Sequence, residues 1–335
     1  MRTKPKDKLY CDVRKRVIED ADPILDNDQL RLFTKYVKER YRIHIRKDIQ
    51  HLQPPFTKDP ILKEFKFTNI RREHDRETKW LINNITNNDF FTYRQKLLNC
   101  IMFRMYNKHE TMEIMGAPFQ FEGVWHITDA KKRLVKYAES HPDYLFFTKA
   151  FMTSGMKRLL NDTFPKESFS PATVLRFCKK INENGFMREL MSCKTQDEVY
   201  NKLKSLKGIG EFLAYQMFVD FTYIKDFPFS ENEFTVAGPG CRSGIDFLFK
   251  DKDGMTYEEC LFWIRDNWKN IPDYFGLRNW FDPKEEMIDL KHYDRVMNVM
   301  SLENCFCEFS KYNKIILKKG KPRIRYEFDP KKKLI

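Results

Sequence analysis

Apolar residues recur at a helical period along most of this chain, and this recurrence constrains its fold more than any other feature. In residues 27–46 they fall at Leu30, Phe33, Val37 and Tyr41, the spacing of one helix face. Similar patterns predict helices over 73–85, 87–106, 128–138, 170–181, 196–206, 211–221, 256–268 and 289–312. Thirty phenylalanines against twelve glycines also favour packed helices over a glycine-punctuated β-protein. The sequence therefore predicts an all-α fold, with one small C-terminal β-hairpin around Gly320.

The length of 335 residues allows one large core or two lobes that share a seam. The patterns divide the chain into a basic extension (1–26), an N-terminal helical lobe (27–165), a lobe with a glycine-rich turn (166–255) and C-terminal helices with a basic tail (256–335). We expect the C-terminal helices to return to the N-terminal lobe. No stretch reaches the roughly eighteen apolar residues of a membrane span. The first sixteen residues lack the apolar segment of a secretory signal, so no membrane partner is expected.

The formal net charge is +13 and the pI is about 9.2. Such an excess indicates a polyanionic partner, usually a nucleic acid, although a lysine-rich solvated surface is the plainer explanation. Much of the surplus lies near the two ends of the chain, at Lys4, Lys6, Lys8, Arg14, Lys15, Arg16, Lys318, Lys319, Lys321, Arg323, Arg325 and 331–333.

Eight scattered cysteines include no C-x-x-C pair, so neither a zinc ribbon nor the four-cysteine iron–sulfur loop of some DNA glycosylases is supported. Without a secretory signal we expect reduced, intracellular thiols. Neither an H-E-x-x-H motif nor a G-x-x-x-x-G-K-[ST] loop occurs, which argues against metalloprotease and P-loop kinase chemistry in this sequence. We expect no metal and no cofactor.

Residues 195–222 predict two helices joined by the turn Leu206-Lys207-Gly208-Ile209-Gly210. This is the pattern of a helix-hairpin-helix. Its glycines permit a tight turn and let backbone N–H groups approach a phosphate at the start of the second helix. Lys207, Gly208 and Gly210 are therefore candidates for binding a DNA backbone without reading its sequence. An ordinary corner between two helices remains the alternative.

A second glycine-rich loop follows, Ala237-Gly238-Pro239-Gly240, with Arg242 close behind. In helix-hairpin-helix glycosylases a loop at this distance carries the catalytic aspartate, but none lies in this one. Clustered glycines beside an arginine suit a phosphate or pyrophosphate better. The alternative is a loop that only packs two helices together.

Two further stretches carry a family resemblance. One begins at 40–43, with Arg40, and continues through 55–62 to 67–80, where it contains Phe67, Asn69, Arg72, Glu73, Asp75, Arg76, Thr78 and Trp80. The other, at 303–312, contains Glu303, Asn304, Cys305, Cys307, Glu308, Lys311 and Tyr312. Together with the hairpin and the glycine-rich loop, they resemble the α-glutamyl/putrescinyl-thymine pyrophosphorylase family. Its relatives include viral amino acid:DNA transferases and the helical domain attached to 5-hydroxymethyluracil DNA kinases. The resemblance spans roughly residues 40–326.

The resemblance implies a helical fold like that of helix-hairpin-helix DNA glycosylases and a DNA-modifying transferase. Its substrate would be DNA carrying a 5-hydroxymethyluracil that has been phosphorylated or pyrophosphorylated, and a separate 5-hydroxymethyluracil DNA kinase is a candidate partner. A small amine or amino acid would displace that group to give a hypermodified thymine. The expected location is the cytoplasm, that of the host for a viral protein, or the nucleus for a eukaryotic one.

Three tasks follow from this chemistry: to hold the leaving group, to take a proton from the amine and to hold a base flipped from the duplex. For the leaving group the candidates are Arg71, Arg72, Arg76, Gly238, Gly240 and Arg242. For proton transfer they are Asp75, Asp220, Glu303 and Glu308, with Lys311 one helical turn from Glu308. For base stacking they are chiefly Trp80 and Tyr215, with Trp125 and Tyr312 also considered.

Each of these residues also has a plainer interpretation. Arginines and acids along one helix often pair on the surface, Glu308 and Lys311 have the spacing of an ion pair, and aromatic residues in such a chain are mostly core. Covalent catalysis by Cys305 or Cys307 lacks support, since cysteines on helices are more often buried. Two other functions stay open: a DNA glycosylase acting on a modified base, and a non-catalytic DNA-binding partner of a kinase.

Overall fold

The computed structural model describes residues 18, 20–121, 127–148, 170–267, 297–320 and 324–327. The basic N-terminal segment up to Arg16, Trp125, Lys321, Arg323 and the lysines at 331–333 lie outside the described residues. The described part is mostly helical, which confirms the predicted all-α class. Among the described residues, no helix is both long enough and apolar enough to cross a membrane.

The described elements follow one another along the chain, with two short strands, β1 and β2, among thirteen α-helices. They are β1 (Ile24–Leu25), α1 (Asn27–His44), α2 (Pro60–Glu64), α3 (Arg76–Leu81), α4 (Tyr93–Tyr106), α5 (His109–Met115), α6 (Ile127–Ser140), α7 (Ser170–Glu183), α8 (Phe186–Ser192), α9 (Gln196–Lys204), α10 (Glu211–Thr222), α11 (Pro239–Leu248), β2 (Phe249–Asp251), α12 (Tyr257–Asn267) and α13 (Val299–Ile316). Helix α1 continues into a π-helical turn at Ile45–Ile49 and α3 into another at Ile82–Thr86.

The chain forms two compact units. The first unit combines the residues up to Asp75 with those from Glu231 onward, and the second unit is Arg76–Ser230. In the first, helices α1, α11, α12 and α13 surround a core that includes Phe33, Phe306 and Phe309. Phe33 stacks on Phe306 with ring centroids 4.7 Å apart. Strands β1 and β2 pair antiparallel at its edge.

Helix α11 packs closely on helix α13 because two of its residues lack a side chain. A Cβ atom on Gly244 would collide with the backbone carbonyl of Phe306, and one on Gly240 would collide with Cys307 Sγ. These glycines let the two helices approach each other. Gly240 therefore serves helix packing, and the leaving-group contact predicted for it stays a prediction.

In the second unit, helix α4 is the central element. Its residues from Gln95 to Tyr106 are all buried, because neighbouring helices cover every face. Thr92 begins this helix with a capping box, in which its Oγ1 accepts from the N–H of Gln95 at 3.4 Å. The predicted start at residue 87 was too early, because the helix begins at Tyr93, and Phe90 in the preceding segment is 88% exposed.

The predicted C-terminal β-hairpin is wrong for the described residues. Helix α13 extends to Ile316 because its apolar spacing continues past Tyr312. The later segment pairs with residues distant in sequence: Lys66 N–H donates to the Ile324 carbonyl at 3.1 Å, and Tyr326 N–H to the Glu64 carbonyl at 2.9 Å.

Candidate active site

In the first unit, residues 67–75 lie along helix α13, so the two stretches that carry the family resemblance contact each other. The N–H of Thr68 donates to Glu308 Oε2 at 3.0 Å. Asn304 Nδ2 donates to the carbonyl of Asn69 at 3.1 Å. One arginine and three acids from these stretches therefore interact electrostatically in one neighbourhood: Arg72, Asp75, Glu303 and Glu308.

Asp75 ends the 3₁₀ turn at Arg72–His74 and contacts the backbone of Asn69. The predicted helix over 73–85 begins only at Arg76, because Arg72–His74 form a 3₁₀ turn and Asp75 is extended. The carboxylate of Asp75 accepts the N–H of Asn69 at 2.9 Å. Burial raises the pKa of Asp75, while the Asn69 N–H and the positive charges of Arg72 and Arg40 oppose that rise. Asp75 is thus a buried carboxyl in an arginine-rich setting.

Glu303 is the buried carboxyl best suited to proton transfer. Its side chain lies on α13, is 7% exposed, and accepts the N–H of Gly238 at 3.3 Å. Burial raises the pKa of Glu303 to about 7, helped by the negative charge of Glu258 and opposed by Arg72 and the Gly238 N–H. A group with a pKa near neutrality exists in both protonation states at physiological pH, as a general base or acid requires.

The glycine-rich loop begins helix α11, with Gly238 as its N-cap and Pro239 in its first turn. Two of its backbone N–H groups already have acceptors within the protein: Ala237 donates to Glu258 at 2.9 Å, and Gly238 to Glu303. The Nε of Arg242 donates to the Ala237 carbonyl at 2.8 Å. Two carboxylates and one exposed arginine therefore contact this loop, and the N–H groups of Ala237 and Gly238 already have acceptors.

Glu308 and Lys311 form an ion pair at 2.7 Å and fasten residues 66–68 to α13. Lys311 Nζ donates to the Lys66 carbonyl at 3.0 Å and lies 4.4 Å from the centre of the Phe67 ring. Arg71 pairs with Glu73 at 3.6 Å. These contacts give Glu308 and Lys311 a positioning role.

Cys305 and Cys307 lie on the same helix. Burial raises the pKa of Cys305, and burial together with Glu303 and Glu308 raises the pKa of Cys307 to about 12. Both thiols are therefore protonated near neutral pH, which disfavours the covalent route, because the thiolate is the nucleophile.

Several residues predicted for the site belong to the second unit and are engaged there. Asp220 has no exposed surface, and both its carboxylate oxygens accept from the guanidinium of Arg104, one of them from Nε at 2.7 Å. This is the geometry of a structural ion pair in a core rather than of an accessible base. We therefore correct the catalytic assignment of Asp220 to a structural one.

The two predicted stacking rings are also in the core of the second unit. Trp80 is 2% exposed, stacks on Phe103 at 5.6 Å and donates from Nε1 to Glu113 at 2.8 Å. Tyr215 is likewise 2% exposed. Neither ring presents a face to a base in this structure.

Arg76 pairs with Glu77 at 2.9 Å and with Glu110 at 3.3 Å instead of facing a leaving group. The same two carboxylates and His109 have ligand atoms close enough to hold a metal ion. Arg76 already balances their charge, and His109 Nδ1 lies 3.1 Å from Glu77. The atoms that could bind a metal ion therefore already interact with other groups of the protein.

The turn that the sequence predicts as part of a helix-hairpin-helix lies between α9 and α10 in the second unit. Gly208 has a φ of +81°, a conformation that favours glycine, and Gly210 is the N-cap of α10. Lys207, Gly208 and Gly210 are all exposed. The turn therefore offers a surface cation next to a helix N-terminus.

Sequence reasoning overlooked Arg40, Asn69 and Glu258 as site residues. Arg40 Nη2 donates to the Phe67 carbonyl at 3.2 Å, and Asn69 contacts Asp75. Arg40 and Asn69 occur within the segments that carry the resemblance, which was the available signal. Glu258 was overlooked because it lies in the first turn of α12, where the capping pattern of Thr256 with Glu259 accounts for the acidic residues without a functional role.

Comparison with known proteins shows which family this sequence is similar to. The family model described as "5-hmdU DNA kinase, helical domain" matches residues 27–321. A curated protein named "5-hmdU DNA kinase" from Bacillus phage SP10 is 27% identical over 290 residues, which cover 82% of this chain and 43% of the phage protein. The chain thus spans less than half the length of that relative. No solved structure matches the chain.

Proposed function

Because the chain belongs to the family of 5-hmdU DNA kinase helical domains, we propose that it modifies DNA containing 5-hydroxymethyluracil. In this proposal, an amine or an amino acid displaces phosphate or pyrophosphate from the activated 5-methylene of the base. The protein is then a DNA-modifying transferase, and a separate 5-hmdU DNA kinase supplies the activated base.

The observation that carries the proposal is the buried carboxyl of Glu303, on which the charge of the buried Arg72 acts. A nucleophilic amine must be neutral when it attacks, so a nearby group must accept its proton. Glu303, with its pKa of about 7, suits that role. Arg72 is 8% exposed, and its positive charge lowers the pKa of Glu303, so a buried cation acts on the proposed base.

The leaving group is assigned to the arginines around the start of α11. Guanidinium groups bind phosphate oxygens in a planar, bidentate manner. Arg72 interacts electrostatically with Glu303, which accepts a hydrogen bond from Gly238, and Arg242 donates to the carbonyl of the neighbouring Ala237. The partial positive charge at the N-terminus of α11 adds to this field. Arg71, on the same turn as Arg72, is a further candidate.

The proposed reaction balances without a metal or redox partner. The lone pair of the amine forms a bond to the 5-methylene carbon. The carbon–oxygen bond breaks, and its electrons leave on the phosphate or pyrophosphate oxygen. One proton passes from the amine nitrogen to the Glu303 carboxylate and then to solvent.

DNA binding is assigned to the net charge of +13 and to the exposed turn at Lys207 and Gly208. Contacts of this kind bind the phosphate backbone irrespective of sequence. The 5-methylene of a stacked base is accessible to a buried carboxyl only if the base leaves the duplex, so base flipping is part of the proposal.

The experiment offers the chain DNA oligonucleotides that carry 5-phosphomethyl- or 5-pyrophosphomethyl-uracil, together with a diamine or individual amino acids. Mass spectrometry of the digested DNA should show a base enlarged by the amine and depleted of phosphate. Unchanged phosphomethyl bases with every amine would contradict the proposal. Abasic sites in their place would instead identify a glycosylase.

A second function is favoured by the name of the phage relative. The matched part of that protein is 43% of its length, and the present sequence has no P-loop motif. A helical module that holds DNA for a kinase would therefore also agree with the comparison. It would increase phosphorylation by a 5-hmdU DNA kinase in trans, and Glu303→Gln would leave that effect unchanged.

A further inference from the structure

Two histidine rings from distant parts of the sequence stack on each other in the first unit. His44 is the last residue of α1, and His74 is the last residue of the 3₁₀ turn Arg72–His74. Their ring centroids are 4.1 Å apart, and their planes differ by 17°. His44 is 2% exposed, and His74 is half-buried. The stack therefore joins α1 to the turn that carries Arg72.

Asp48 supplies a carboxylate to this pair of rings. Nδ1 of His44 lies 2.7 Å from Oδ2 of Asp48, and the side chain of Asp48 is 9% exposed. Asp48 belongs to the π-helical turn Ile45–Ile49, which continues α1. A carboxylate at this distance favours a proton on Nδ1 and stabilises a positive charge on the imidazole. The first positive charge at the stack therefore has a counter-charge.

The surroundings of His44 give a second positive charge little compensation. Apart from Asp48, the charged residues of the described chain that line the cavity beside His44 are the cations Arg40, Lys47 and Lys63. Tyr326 also lines this cavity, and burial raises the pKa of its phenol, which is therefore neutral near pH 7. Further positive charge is thus disfavoured on this side of the stack.

On the side of His74, nearby acids already have partners within the protein. Two of these acids flank His74 in sequence, and the third lies on α13 and acts electrostatically on one of them. With their partners they are Glu73 with Arg71 at 3.6 Å, Asp75 with the N–H of Asn69 at 2.9 Å, and Glu308 with Lys311 at 2.7 Å. Arg72 adds another cation to the same turn.

A second proton would place two like charges face to face. Two imidazolium rings with centroids 4.1 Å apart repel each other strongly when they are partly shielded from water. The stack is therefore stable with one positive charge and disfavoured with two. Because an ordinary histidine takes up its proton near pH 6.5, the second proton competes with the stack in mildly acidic solution.

The turn at His74 connects the stack to the candidate active site. The carbonyl of His74 accepts from Asn69 Nδ2 at 2.9 Å, and the N–H of Asn69 donates to Asp75. Arg72, two residues before His74, acts electrostatically on Glu303. Separation of the two rings would therefore loosen the turn that holds Arg72.

We propose that the His44–His74 stack is a pH-sensitive latch, which is closed when the pair carries at most one positive charge and is opened by a second proton. Opening releases the turn Arg72–His74 from the end of α1. The latch goes beyond the proposed function and does not depend on it, because it is a property of the folded first unit.

The test follows the turn directly. Hydrogen–deuterium exchange with mass spectrometry measures the protection of residues 67–75 in the full chain from pH 7.5 to 5, corrected for the intrinsic exchange rate at each pH. The open turn binds one more proton than the closed one, so protection should fall as pH falls. Below about pH 6.5 we expect a loss that approaches about tenfold per pH unit, the effect of one proton.

His74→Phe keeps a flat ring for stacking but takes up no proton. Asp75 and Glu303 titrate in wild type and in this variant alike, so the ratio of the two protections isolates the histidine pair. We expect this ratio to fall with pH as described. His44→Gln can still donate to Asp48 and removes one of the two charges, so it should also suppress the acid response.

His141→Phe, at the end of α6, is the matched control. The ring of His141 stacks at the same distance of 4.1 Å on Tyr137, a partner that takes up no proton. This variant should keep the wild-type acid response of residues 67–75.

A ratio of wild-type to His74→Phe protection that stays constant with pH would overturn the latch. An acid response that persists in His44→Gln would overturn it too, because protonation of His74 alone would then loosen the turn without repulsion from His44. Amine transfer plays no part in this measurement, so failure of the latch and failure of the transferase proposal are separate results.

Discussion

Glu303 on α13 accepts a hydrogen bond from the N–H of Gly238 at 3.3 Å, so a buried carboxyl faces the loop at the start of α11. The two residues are 65 positions apart in sequence. Their contact joins the glycine-rich loop to residues 303–312, the second stretch that carries the family resemblance. Arg72, in the first such stretch, acts electrostatically on the same carboxyl. This relationship supports both the chemistry proposed above and the following predictions.

The raised pKa of Glu303 predicts a pH-dependent stability. Between its ordinary value of 4.5 and about 7, the folded state keeps a proton that the unfolded state has lost. The free energy of unfolding should therefore fall as pH rises through this window, by on the order of 3 kcal/mol. Glu303→Gln should remove that fall. Urea denaturation from pH 4.5 to 8 measures it.

The control for that experiment is Glu139→Gln, which changes an exposed glutamate on α6. It should reproduce the wild-type pH dependence. If the wild-type and Glu303→Gln curves run parallel across the whole pH range, Glu303 does not titrate near neutrality and cannot act as the proposed base.

The Arg104–Asp220 pair predicts a large structural effect. Asp220→Asn leaves the buried charge of Arg104 without its counter-charge and should cost about 3–5 kcal/mol. The double change Arg104→Met with Asp220→Leu should recover much of this loss, because no uncompensated charge remains. Chemical denaturation compares the variants, with exposed Asp197→Asn as control. A single change within about 0.5 kcal/mol of wild type would show that the pair is not structural.

The close packing of α11 on α13 predicts that Gly244→Ala destabilises the first unit. Its new methyl group would collide with the Phe306 carbonyl, a backbone atom with little freedom to move. Overpacking of this kind costs about 1–3 kcal/mol. Gly320→Ala is the matched control, since the nearest atom to its Cβ, in Lys314, would lie 3.9 Å away. Equal melting temperatures for the two variants would refute the packing argument.

The exposed turn between α9 and α10 predicts a salt-dependent contact with DNA. If Lys207 neutralises one phosphate, Lys207→Met should lower the slope of log affinity against log salt by about 0.9 on duplex DNA. The effect should be the same for unrelated sequences. Lys132→Met removes another exposed lysine and should leave the slope unchanged. An unaltered slope in Lys207→Met would remove the turn from the DNA-binding surface.

Sequence periodicity predicted the all-α class and most helices, because local spacing of apolar residues determines which face is buried. Capping patterns located several helix starts, including Thr256 with Glu259. The start of α3 was misplaced, since the extended conformation of Asp75 depends on its contact with Asn69.

The site itself was only partly predictable. The resemblance named Arg72, Asp75, Glu303 and Glu308, but spacing alone does not show which carboxyl is buried. Asp220 and Trp80 have side chains that suit catalysis or stacking, and only the packing of the second unit reveals that Arg104 and Phe103 engage them.

The most direct test of the account is the incorporation of an isotope-labelled amine into DNA that carries 5-(pyro)phosphomethyl-uracil. Wild type and Glu139→Gln should incorporate label at the same rate and release one phosphate or pyrophosphate per amine. Glu303→Gln should reduce the rate about a hundredfold or more, the usual effect of losing a general base. Incorporation by Glu303→Gln at the wild-type rate would contradict the account.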